Sequence, residues 1–159
     1  MAALDPDDLL AQARFLLIPR QPGPPLQVDV RRAISAAYYA LFHHVVAAAA
    51  DYLIGKTKHR DPRYSIAYRS VDHATLRSAC INARTAKTAL TEELKEFADS
   101  FVVLQAQRHS ADYDPATLMR TSEAKLAIAE AAKAIQLFDN VPQEERLLFL
   151  TQLAFRRRH

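Results

Sequence analysis

The sequence predicts an all-α fold, an antiparallel helical bundle of about five helices, on three observations. Glycine occurs twice in 159 residues, too rarely for the hairpins of a β architecture. Hydrophobic residues make up 50% and charged residues 25%, a balance that fills a core instead of leaving the chain disordered. Apolar residues recur at three- and four-residue steps in stretches closed by proline or by a capping residue. The length fits one domain over residues 1–159, with a core over about 5–140 and a short helix and basic tail over 141–159.

The first helix opens in "DPDDLLAQARFLLI". Asp5 is the cap, Pro6 takes the first helical position, and Asp7 and Asp8 place negative charge where backbone N–H groups are unpaired. The run "PRQPGPP" ends it, because prolines can neither donate backbone bonds nor hold the next turn. From Val28 to Ile54 there is neither proline nor glycine, and Gly55 supplies a stop. This long central helix carries a stripe of Ile34, Tyr38, Leu41, Val45, Ala48 and Tyr52, widened by Phe42, Val46, Ala49 and Leu53. Arg32, Ser35, Ala36, Tyr39 and His43 share a side flanking that band.

The basic segment "GKTKHRDPRYSIAYRSVDHATLRSACINARTAK" reads as a loop to Pro62 and one or two shorter helices, one beginning at Asp72. The next helix starts at Thr91, carries Leu94, Phe97, Phe101 and Leu104 on its apolar face, and is closed by Pro115. Its rhythm extends to Arg108 and Ala111, which turns Arg108 towards the core, where a guanidinium needs a partner or an anion. A further long helix in "TSEAKLAIAEAAKAIQLFDN" takes Thr121 as cap, and a short one follows in "PQEERLLFLTQLAF".

A lone cysteine, Cys80, has no partner for a disulfide and none at metal-ligand spacing, which points to a reducing, cytoplasmic setting and a merely packed thiol. The acidic start "MAALDPDDLL" does not resemble a leader, and His43, His44 and Asp51 interrupt the one long apolar stretch, so no membrane is expected. No cofactor is expected, and no metal, since His43, His59, His73 and His109 include no close-spaced pair. Charge is uneven: residues 31–90 carry ten basic against three acidic side chains. That excess suits a polyanion such as a nucleic acid, or is balanced in space by the acidic last third.

Two stretches carry the chemistry: "RRAISAAYYALFHH" on the central helix and "QAQRHSADYDPATL" at the end of the Thr91 helix. Together, in this order, they resemble the HEPN superfamily, and within it the short bacterial proteins with an "RAYYAxFHA" helix and a late "R-x-x-ADYDP" segment. The resemblance covers residues 5 to 140. It implies a helical bundle that dimerises with itself. It also implies an RNA-directed function, in many members a metal-independent endoribonuclease toxin paired with a small nucleotidyltransferase antitoxin.

The catalytic signature of that superfamily is an arginine, a polar residue after it, and a histidine four to six residues beyond the arginine. Arg108 and His109 fill the first two positions, but Tyr113, Asp114 and Pro115 stand where the histidine belongs. His43, His109 and Tyr113 are the substitute bases, with Tyr113 the poorest because an ordinary phenol titrates near ~10. Arg108, Arg32, Tyr39 and Asp112 are the candidates for contact with RNA or a nucleotide. The plain alternatives are an Arg108–Asp112 pair one helical turn apart, Asp114 capping the next turn, and His43 as a core-edge histidine on a backbone carbonyl. An RNA-directed protein and a non-catalytic module that binds nucleotide, RNA or a partner protein therefore both stand.

Overall fold

The computed structural model describes residues 4–86 and 90–155. Among them every regular element is helical: α1 (Pro6–Leu16), α2 (Gln27–Ile54), α3 (Pro62–Ser70), α4 (His73–Thr85), α5 (Glu92–Tyr113), α6 (Thr121–Asn140) and α7 (Gln143–Ala154). The count exceeds five because the basic segment folds into two short helices, each capped by an aspartate. Asp61 Oδ1 accepts from Arg63 N at 2.9 Å, and Asp72 Oδ1 from Thr75 N at 2.7 Å. Asp5 does the same for α1, accepting from Asp7 N at 2.9 Å with Pro6 just inside.

The central pair is α2 and α5, and it is antiparallel. Arg31 meets Ala111, Ser35 meets Asp112, Tyr39 meets Arg108 and Tyr38 packs on Phe101, so numbers rise along one helix as they fall along the other. α1 and α6 pack on the same central helix, α3 lies against its second half, and α4 lies against α5. Alanines 33, 37 and 40 of α2 and 131 and 134 of α6 are fully buried, which lets helices approach closely. Larger side chains fill the centre: Tyr38, Leu41 and Val45 from α2, Phe97, Phe101 and Leu104 from α5, Phe138 from α6. Phe97 stands 4.9 Å from Phe138 and meets Phe149 edge-on at 5.8 Å, a favoured geometry that adds to area burial.

Three local expectations are revised. Thr91 begins α5, yet its hydroxyl does not cap its own helix. Thr91 N and Oγ1 donate instead to the Glu145 carboxylate of α7 at 2.9 and 2.8 Å, placing negative charge at the α5 N-terminus. α6 is capped one residue early, at Arg120, whose N–H donates to Glu123 at 2.6 Å. Tyr52 and Leu53, placed by periodicity in the buried band, are exposed in the last turn of α2.

By length and composition alone α2 passes for a membrane span, with a mean hydropathy of 1.3 over an 18-residue window of which 61% is buried. Being surrounded by α1, α3, α5, α6 and α7 accounts for that composition, since a helix covered on most sides is apolar on most sides.

Candidate functional site at the α2–α5 contact

Arg108 is carried by the last two turns of α5, where the apolar rhythm of that helix continues into polar residues. Its side chain is only 15% exposed. Nη2 donates to the Tyr39 hydroxyl at 2.6 Å, across the contact with α2. Nε lies 2.8 Å from Asp112 Oδ2, but the N–H is not aligned with the carboxylate, so this is an ion pair and Nε makes no hydrogen bond. The guanidinium also sits over the rings of Tyr39 at 5.2 Å, Tyr113 at 5.6 Å and Tyr38 at 5.7 Å. Burial works against its charge, but Tyr39, Asp112 and Tyr113 outweigh that and raise its pKa, so it is a permanent cation.

Among the described residues Nη1 of Arg108 has no hydrogen-bond partner, and it is not among the buried unpartnered atoms, so it reaches the surface. The pairing with Asp112 is present, and it leaves part of the guanidinium unused. Asp114 is engaged elsewhere: its carboxylate accepts from Ala116 N at 3.0 Å and from the Thr117 hydroxyl, which together hold its pKa below the usual carboxylate range. It caps the turn after α5. Asp112 is braced by Ser35, whose hydroxyl donates to it at 3.3 Å.

Behind Tyr39 stand two imidazoles. His43 Nδ1 is 2.6 Å from the Tyr68 hydroxyl, and its ring is 5.9 Å from Tyr39. Its hydrogen-bond partner is thus a phenol of α3, not a backbone carbonyl. His73, the first residue of α4, lies flat against Phe42 at 4.0 Å with Nδ1 2.6 Å from the Tyr38 hydroxyl. Burial, then the neighbouring His73, lowers the pKa of His43. Burial, then Arg108, lowers that of His73, with Asp72 acting in the opposite sense. Both imidazoles are consequently neutral at pH 7. Burial pushes the phenols of Tyr38 and Tyr68 up, so both keep their hydrogens.

Of the residues singled out from sequence, Arg108, Tyr39, Asp112, His43 and Tyr113 gather around this contact. Arg32 and His109 do not join it. Arg32 is exposed with no polar partner among the described residues. His109 is exposed, its ring 5.0 Å from the outer cluster residue Tyr113 and not in contact with Arg108. The neighbouring Arg31 instead reaches the end of α5, donating to the carbonyls of Ala111 and Asp114 at 2.8 Å each and to that of Thr117. Sequence reasoning missed Arg31 as well as His73 and Tyr68, which lie in the segment where no periodicity fixed a face.

A groove of about 560 Å³ lies between α2, α6 and α7, with His44, Asp51, Lys56, Asp139 and Arg146 on its walls. It shares no lining with the Arg108 cluster, and its carboxylates are already engaged: Asp139 by His44 at 2.7 Å, and Asp51 by His59 at 3.2 Å and the Tyr64 hydroxyl at 2.9 Å. Among the described residues no three of His, Cys, Asp and Glu converge as metal ligands. Neither protein-family models, nor curated proteins, nor solved structures match this chain.

Proposed function

We propose that this chain is an RNA-directed protein of HEPN type, in which Arg108 holds a phosphate of the RNA backbone at the α2–α5 contact. One observation carries the reading. A largely buried guanidinium, already oriented by Tyr39 and Asp112, keeps Nη1 at the surface with no partner among the described residues, and a fixed arginine fork matches phosphate geometry. The basic segment adds support. Arg63 and Arg84 pair with Asp61 and Asp99, whereas Lys56, Arg60, Arg69 and Arg77 form no ion pair among the described residues. Unpaired cations of this kind release counterions on binding a polyanion.

The test is binding of a fluorescent single-stranded RNA by the wild type and by Arg108→Ala, across a salt series. Arg108→Ala is expected to weaken binding at least about tenfold and to flatten the salt slope by about one unit. Equal binding by both proteins refutes the reading. In the toxin form of this proposal the partner is a small nucleotidyltransferase, and a homodimer is the acting species, checked by light scattering.

A second reading, a non-catalytic module that binds RNA, a nucleotide or a partner protein, draws on a specific observation. His109 is exposed and meets only the Tyr113 ring, without contact with Arg108, and Tyr113, Asp114 and Pro115 occupy the positions of the usual histidine. Total RNA incubated with the protein in EDTA separates the two readings.

A further inference from the structure

Resting on the phosphate site proposed for Arg108, we infer that Tyr113 is a stacking platform for an unpaired base of single-stranded RNA, set beside the arginine that holds the phosphate.

Five of the six tyrosines are engaged by the fold through their hydroxyls. Tyr38 and Tyr68 bond histidines, Tyr39 accepts from Arg108, Tyr64 donates to Asp51, and Tyr52 accepts from Thr151. Tyr113 is the exception. Its hydroxyl has no hydrogen-bond partner among the described residues, and it is 63% exposed, more than any other tyrosine. A lone exposed ring is ordinary on a protein surface; the neighbours of this one give it a use.

The guanidinium carbon of Arg108 lies 5.6 Å from the Tyr113 ring centroid. One nucleotide spans that separation, with its base at the ring and its phosphate at Nη1, which reaches the surface. His109 does not take the place of the base. Its ring is 5.0 Å from that of Tyr113 with the planes inclined at 52°, a leaning contact and not the parallel stack that would occupy a face.

The platform is also held in place. Tyr113 is the last residue of α5, and Arg31 fastens the carbonyls before and after it, those of Ala111 and Asp114, at 2.8 Å each. The backbone is therefore ordered before any ligand arrives, and a tyrosine has only two side-chain torsions left to lose on binding.

These features select a strand with free bases. Every base presents a π face to an aromatic ring, so the contact tolerates any sequence. In a duplex those faces are already taken by the neighbouring base pairs. The site accordingly takes single-stranded RNA and gains nothing from the bases of a duplex.

The test compares three fluorescent probes of equal length: an oligoadenosine strand, the same backbone without bases, and a duplex containing the strand. The wild type, Arg108→Ala and Tyr113→Leu are titrated with each across a salt series, and melting curves check folding. Tyr113→Leu is expected to bind the oligoadenosine about tenfold more weakly and to keep the wild-type salt slope, because it removes no charge. Its binding of the abasic strand and of the duplex stays at the wild-type level, whereas Arg108→Ala weakens both single strands. The chain has no tryptophan, so Tyr113→Trp installs a lone reporter, whose fluorescence the oligoadenosine quenches and the abasic strand does not. Wild-type affinity for oligoadenosine in Tyr113→Leu, an equal loss on all three probes, or an unquenched indole in Tyr113→Trp with the oligoadenosine bound overturns the platform. The phosphate site then still stands on the weak binding by Arg108→Ala. Failure of the wild type to bind the single strands, or equal binding by Arg108→Ala, overturns the phosphate site itself.

Discussion

Arg31 donates to the main-chain carbonyl of Asp114 at 2.8 Å, fastening the first turns of α2 to the end of α5 across 83 residues of sequence. The same guanidinium reaches the carbonyls of Ala111 and Thr117. The last carbonyls of a helix have no partner within it, so one arginine satisfies the terminus that presents Arg108. Arg31→Ala should therefore lower stability by about 2 kcal/mol, read from urea unfolding midpoints. Arg31→Lys should recover less than half of that, since an ammonium cannot span several carbonyls as a planar fork does. A midpoint unchanged in Arg31→Ala would falsify this role.

Arg108 has both a structural and an anion-facing side. Arg108→Ala removes the bond to Tyr39 and the contacts with three tyrosine rings, and should cost about 1–2 kcal/mol in denaturant unfolding. Arg108→Lys should regain much of the stability while RNA affinity stays close to that of the alanine variant. Recovery of affinity by lysine would mean that only charge matters at this position.

The histidine pair makes stability depend on pH. Both folded pKa values lie below the ordinary 6.5, so the unfolded chain binds more protons as pH drops through that value. The contribution is fully present above pH 6.5 and is lost as pH falls towards the folded values. The thermal midpoint should decrease between pH 7.5 and 5.5, and the decrease should shrink in a His43→Asn, His73→Asn double variant. An equal decrease in that variant would place the dependence on other groups.

Gly55 ends α2 with φ of +118° and ψ of 139°, a conformation that L residues with a side chain avoid. A Cβ there would meet only the Lys58 side chain, at 3.8 Å, so backbone conformation alone sets the cost. Gly55→Ala should destabilise by about 1–2 kcal/mol by calorimetry, with RNA binding unchanged. A neutral result would show that the turn relaxes freely.

Sequence by itself determined the helices wherever the signal was local. Asp5 with Pro6, Asp72, Thr91 and Gly55 mark ends through backbone bonding and dihedral limits that act within a turn, and the structure starts or stops helices there. The apolar rhythm of α5 also carried Arg108 inwards and made its pairing with Asp112 legible, because residues four apart share a face. What tertiary structure decided is rotation and long-range pairing. α2 is covered on most sides, so its apolar residues do not single out one direction, and whether Arg31 or Arg32 meets α5 turns on a rotation of about 100° that periodicity could not fix. Arg31 faces the α5 terminus and Arg32 faces outwards. His73 and Tyr68 reach Tyr38 and His43 through the docking of α4 and α3, not through any local spacing. Their partners are buried hydroxyls and ring nitrogens that no spacing rule connects, drawn together because polar atoms carried into a core must bond there.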